Sequence, residues 1–219
     1  MATAKQAPAF RTTVHAELRL ATLEVEQGHY LDLVALFALI PKPNHFKFLQ
    51  ILHEHKANIV SGFGSSHNHQ AWEGGYLDHV VETMNLACQL YRTLNSLRKL
   101  PFRLHEALEV MFLHDIEKPF KVGDKLLYNG SSMLYNGSFI PATKSNRKAF
   151  RASLIQNYEI VLTPAQENAL SYVEGVPDSE YTPGERIMGE LAAFCHTCDI
   201  LSARLWHDKG ANVPAPDWE

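Results

Sequence analysis

Phe112-Leu113-His114-Asp115-Ile116-Glu117-Lys118-Pro119 sets a histidine and a carboxylate side by side at the end of an apolar helix. Leu108, Met111, Phe112 and Ile116 recur at helical spacing and predict its buried face. Pro119 predicts its stop, because a proline ring cannot continue the hydrogen-bond ladder. A neutral imidazole beside an ionised carboxylate is a good ligand pair for a divalent metal. Neighbouring helical residues point about 100° apart, so both side chains can reach one ion near the helix end. A His-Asp pair alone is unspecific. Its meaning depends on ligands supplied by other helices.

Two other helices supply them. Around the pair, the 219 residues fit one domain. Glycine, serine and histidine dominate Ser61 to Gly75, which reads as a loop. A long helix follows from about Tyr76 to Leu97, striped by Leu77, Val80, Val81, Met84, Ala87, Cys88, Tyr91 and Leu94, and it carries His79. The last helix is predicted from about Gly184 to Trp206, with Met188, Leu191, Ala192, Cys195, Ile200, Ala203 and Leu205 inward. Asp199 lies on it, and a carboxylate among apolar residues needs a partner or a metal. His79, His114, Asp115 and Asp199 together suit one divalent ion: Mn, Fe, Co, Ni, Zn or Mg.

The remaining chain reads as support. Two apolar runs break near Gly28, Pro41 and Pro43 end the second, and Asn44 is positioned to cap a third helix. Residues 1–60 are thus helical support, 61–210 the core and 211–219 a tail. Thr143 to Tyr158 and Thr163 to Val173 are predicted helices. Between them and Pro119, Asn129-Gly130 and Asn136-Gly137 are tight-turn signals, giving a small β-hairpin or irregular insertion near residues 124–140. The fold class is all-α, a helical bundle with that insertion.

Composition limits the function. With 46% hydrophobic and 20% charged residues, a packed core is expected and disorder is not. A net charge of −4 disfavours nucleic acid as the main partner, since such binding is driven by phosphate neutralisation. No apolar run reaches roughly 18 residues, so no membrane partner is expected, and no signal peptide is read. Three cysteines, an odd count, fit a reducing cytoplasm. Cys195 and Cys198 have no second pair for zinc and read as small core residues. A homo-oligomer stays open.

In order along the chain, these motifs resemble the signature of the HD-domain metal-dependent phosphohydrolases. Gly74-Gly75-Tyr76-Leu77-Asp78-His79 resembles the family's Gly-Gly-x-x-x-His. Leu113-His114-Asp115-Ile116-Glu117-Lys118 resembles its Leu-His-Asp-Ile-Gly-Lys, with Glu117 where many members have glycine. Asp199 to Arg204 resembles its closing aspartate segment. The likeness spans roughly Ser65 to Arg204 in motif order.

The resemblance implies an all-helical enzyme that hydrolyses phosphate esters or anhydrides of nucleotides, deoxynucleoside mono- or triphosphates being favoured. A 3′→5′ exonuclease and a non-catalytic metal- or nucleotide-binding module are the alternatives. It also implies that Asp115 both ligates metal and orients water. Glu117 either orients or protonates substrate, or pairs with Lys118, itself a candidate phosphate contact. His67 and His69 are candidates for substrate phosphate or a second metal. His196, on one helix face with Asp199, is either a substrate contact or a satisfied buried histidine. Lys144, Arg147, Lys148 and Arg151, at i, i+3, i+4 and i+7, form a positive face suited to an anionic substrate or simply to solvent. Trp72 and Tyr76 are candidates for base stacking or for packing.

Overall fold

A computed structural model describes residues 10–65, 70–122, 125–127 and 139–205. Helices α1 (Phe10–Gln27), α2 (Leu33–Ala38), α3 (Asn44–Glu54) and α4 (Lys56–Ser61) precede the long α5 (Gly75–Leu97). Then come α6 (Leu104–Leu113), a 3-10 turn (Lys118–Phe120) and the short strands β1 (Lys121–Val122), β2 (Lys125–Leu127) and β3 (Phe139–Pro141). Helices α7 (Lys144–Asn157), α8 (Pro164–Tyr172) and α9 (Glu190–Leu205) follow, and α9 ends the described residues. The fold is all-α with a small antiparallel β insertion in the order β1-β2-β3. Lys121 pairs with Leu126, and Lys125 with Pro141. Both Asn-Gly dipeptides lie outside the described residues. Among the described residues, no helix is long and apolar enough to cross a membrane.

Helix α6 is the centre. From Ala107 to Leu113 every residue is buried, including Glu109. This exceeds the single apolar face that periodicity implies, and a helix buried all round is one enclosed by others. Helices α5, α8 and α9 pack on it, and α5 and α8 both pack on α9. Phe112 meets Phe37 of α2 edge-on at 4.7 Å between ring centres and Phe48 of α3 at 4.8 Å. One continuous apolar cluster therefore joins α2 and α3 to the central helices.

The buried Glu109 carboxylate is kept satisfied from three directions. Asn44 donates to it at 2.6 Å, Gln166 at 3.0 Å, and His105 lies at 3.2 Å. Asn44 is thus no helix cap: Pro43 holds the cap position without a side-chain bond, and Asn44 also pairs with the Val161 backbone. Long-range partners outcompete the local use of an asparagine here. Thr143 and Thr163 do cap α7 and α8.

Two predicted helix ends move. α6 stops at Leu113, with His114 as its C-cap, and Pro119 sits inside the following 3-10 turn. α9 begins at Glu190, and residues 184–189 are irregular. Ile200 and Leu205 are exposed rather than inward, and Leu94 is also exposed. Cys195 and Cys198 are buried and free.

Candidate metal centre

The centre begins with two glycines. Gly74 takes φ +85°, a conformation glycine adopts without strain. A Cβ on Gly75 would lie 2.0 Å from the Gln70 carbonyl oxygen, so only a bare backbone fits there. This close approach seats Gln70 at the start of α5. Its amide donates to Glu82 at 2.8 Å and contacts the Ser202 hydroxyl at 3.3 Å.

Glu82 and Ser202 orient the first ligand. The Ser202 hydroxyl donates to Glu82 at 2.8 Å. Its proton being spent there, Ser202 Oγ accepts from His79 Nδ1 at 3.0 Å. That leaves the Nε2 lone pair of His79 facing inward. His114 is oriented similarly, with Nδ1 donating to the Met111 carbonyl at 2.7 Å. Because His114 closes α6, its ring bonds back to that helix while Asp115 enters the next turn. Glu82 and Ser202 were not singled out by sequence reasoning. Each lies three residues after a ligand, His79 or Asp199, which places it on the same helix face and was the available signal.

The inward atoms converge. His79 Nε2 is 3.2 Å from His114 Nε2 and 3.1 Å from Asp199 Oδ1. Asp115 Oδ2 is 3.2 Å from His114 Nε2 and 3.6 Å from His79 Nε2. His114 Nε2 is 3.5 Å from Asp199 Oδ1. His79, His114 and Asp199 each offer a donor atom within 4.8 Å of the others. An ion with metal–ligand bonds of about 2.0–2.2 Å spaces its neighbouring ligand atoms roughly 2.8–3.6 Å apart in tetrahedral or octahedral geometry. The observed separations fall in that band. With both Nδ1 atoms directed to Ser202 and Met111, the facing Nε2 atoms share either a proton or a metal ion. The group His79, His114 and Asp199 can therefore hold a metal ion, with Asp115 at its edge.

The electrostatics agree with a site built around a cation. Burial alone lowers the basicity of His114, but the charges of Asp115 and Asp199 outweigh it and push its pKa up to about 10. Burial dominates at His79 and lowers its pKa. Burial opposes ionisation of both aspartates, yet Lys118 and His114 hold Asp115 well below the usual carboxylate range. The hydrogen bond from His114, with His79 close by, does the same for Asp199. Lys118 pairs directly with Asp115 Oδ2. Asp199 and Lys118 keep the most exposure in the group, at 19% and 15% of their side chains, so they mark its way out to solvent.

The other sequence candidates fall in several places. Glu117 pairs with Arg147 at 3.6 Å, not with Lys118, and its other carboxylate oxygen has no hydrogen-bond partner among the described residues. Burial and then the neighbouring Asp115 charge raise its pKa to about 7. Arg151 donates to the His114 carbonyl and, at 2.9 Å, to that of Leu170. It thus braces the dyad from behind. His196 lies outside the ligand group, with Nδ1 donating to the Val173 carbonyl at 2.6 Å. Tyr76 is fully buried and so is packing, while Trp72 donates to Asp78 at 2.7 Å. Lys144, Arg147, Lys148 and Arg151 line one pocket with residues of α8. His67 and His69 lie outside the described residues.

No family model, curated protein or solved structure matches this chain. What the centre can do follows from its own atoms: two oriented imidazoles, two ionised carboxylates and an ammonium group at a partly open mouth.

Proposed function

We propose that the protein is an HD-type metal-dependent phosphohydrolase that cleaves a phosphoester or phosphoanhydride bond of a nucleotide, deoxynucleoside mono- and triphosphates first among them. The observation that carries the reading is the convergence of His79, His114 and Asp199 at 3.1–3.5 Å from one another, with Asp115 3.2 Å and 3.6 Å from the two histidines. A divalent ion in such a site lowers the pKa of water and polarises a phosphoryl oxygen. The protein's own groups do the rest. Asp115 would both ligate the ion and orient the attacking water, since its place at the edge of the ligand group keeps it beside the reaction. Lys118, held at Asp115 and partly exposed, neutralises charge that develops on the phosphoryl oxygens. Ser202 and Glu82 keep His79 in the tautomer that ligates, and Arg151 keeps the His114 turn in place.

The test is incubation of the purified protein with Mn²⁺ and a nucleotide panel, alongside labelled single strands. Phosphate or pyrophosphate release from a nucleotide is the expected outcome. Products from strands with none from nucleotides would replace this reading by the exonuclease one. Metal binding without any product would leave a binding module. Asp115→Ala should abolish turnover and reduce bound metal while circular dichroism stays unchanged, because the remaining ligands sit on packed helices. Undiminished activity in that variant would end the proposal.

A further inference from the structure

A second concentration of charge lies between α7 and α8. Lys144, Arg147, Lys148 and Arg151 line a pocket there together with Ser171 and Glu174. The four cations share one face of α7 and extend over about 10 Å of its axis. Glu174 is the single carboxylate in the lining. This positive hollow occurs on a chain whose net charge is −4.

The four cations are committed to different degrees. Arg151 is taken up by the carbonyls of His114 and Leu170. Arg147 forms ion pairs with Glu117 at 3.6 Å and Glu174 at 3.7 Å, both longer than a hydrogen bond. Lys144 and Lys148 make no ion pair or side-chain hydrogen bond among the described residues. Two uncommitted ammonium groups and an ion-paired guanidinium surround a hollow of about 20 Å³, so an anion with several charges would lie across its rim. A solvated charge run would present the same residues on a convex face. With Arg151 occupied, Lys144, Arg147 and Lys148 span about 6 Å of the axis, the reach of two or three linked phosphates.

We infer that this pocket binds the phosphate chain of a nucleotide, with Lys144, Arg147 and Lys148 as its contacts. Arg147 also meets Glu117 and Arg151 holds the His114 carbonyl, so the pocket adjoins the turn that bears the dyad. The inference deepens the proposed function and rests on it for the nucleotide; the anion site stands without it.

Titration calorimetry of the full chain with tripolyphosphate tests this. Four proteins are compared: wild type, Lys144→Glu/Lys148→Glu, the charge-matched surface control Arg98→Glu/Lys99→Glu, and Asp199→Ala. Wild type, control and Asp199→Ala should bind alike, and the pocket variant at least tenfold more weakly. A nucleoside triphosphate should displace the probe at least tenfold better than a monophosphate. Absence of binding to wild type, equal binding by the pocket variant, or an equal loss in the control would overturn the site. Loss in Asp199→Ala would move the anion to the metal centre and overturn it as well. Failure of the triphosphate to compete, or equal competition by the monophosphate, would overturn the nucleotide assignment. An intact pocket without nucleotide hydrolysis would instead refute only the proposed enzyme.

Discussion

Ser202 shows how one hydroxyl decides what a histidine can do. Its proton goes to Glu82, so it can only accept from His79. Ser202→Ala should leave the fold intact and weaken metal binding roughly 10- to 100-fold, the usual cost of losing the partner that orients a ligand. Calorimetry with Mn²⁺ or Zn²⁺ reads this directly, and unchanged affinity would show that the ring is held by packing alone. Glu82 carries a pH signature of its own. Burial raises its pKa from 4.5 to about 7, against hydrogen bonds from Ser202 and Gln70 that lower it. The folded chain then keeps a proton that the unfolded chain has released. Stability from this group is therefore full below about pH 4.5 and is lost as pH rises to about 7. Relative to wild type, Glu82→Gln should gain stability between pH 5 and 8, by on the order of 1–2 kcal/mol after discounting for partial exposure. Denaturant unfolding at both pH values, with chelator present, checks the sign.

Helices carry these residues only because their ends and faces are specified. The start of α5 depends on Gly75, whose missing Cβ makes room for the Gln70 carbonyl. Gly75→Ala should force the loop away from α5 and destabilise the protein by roughly 1–3 kcal/mol, as overpacking does. It should also weaken metal binding, since Gln70 supports Glu82 and Ser202. A stability change without any effect on metal would separate the loop from the centre. Along α6, Phe112 fills the space between Phe37 and Phe48, and it is fully buried. Phe112→Ala should cost about 3–5 kcal/mol in denaturant unfolding. Much of this was legible: the apolar period of α5, the threonines before α7 and α8, and Pro164 within the first turn of α8 are local signals. The end of α6 was not, because the turn after Leu113 is stabilised by Arg151 of α7, a partner 37 residues away.

Over the full chain, the candidate metal joins helices α5 and α9 to the end of α6. A ligand that binds only the folded state raises stability by mass action. Divalent metal should therefore raise the melting temperature, chelator should reverse the rise, and Asp199→Ala should abolish the difference. A thermal scan insensitive to Mn²⁺, Zn²⁺, Ni²⁺ and Fe²⁺ alike would argue against a metal at this centre. The continuous cluster that includes both α2–α3 and α5–α9 implies that these helices melt together. A single transition is expected, and an early partial one would show that the amino-terminal helices separate first.

The order of chemistry-bearing residues was readable along the chain: glycine pair and histidine, then histidine–aspartate, then aspartate, each on a segment with a helical period. The helical class and the β insertion after Pro119 were readable for the same reason, since propensity and periodicity act between near neighbours. Only three-dimensional packing settled the rest. It gave Asn44 to Glu109 instead of a helix end, Arg151 to the His114 carbonyl instead of an open basic face, and His196 to Val173. It also built the Gln70–Glu82–Ser202 support behind His79. A buried polar group takes whichever partner folding brings within reach, and that partner's distance along the chain leaves no local trace.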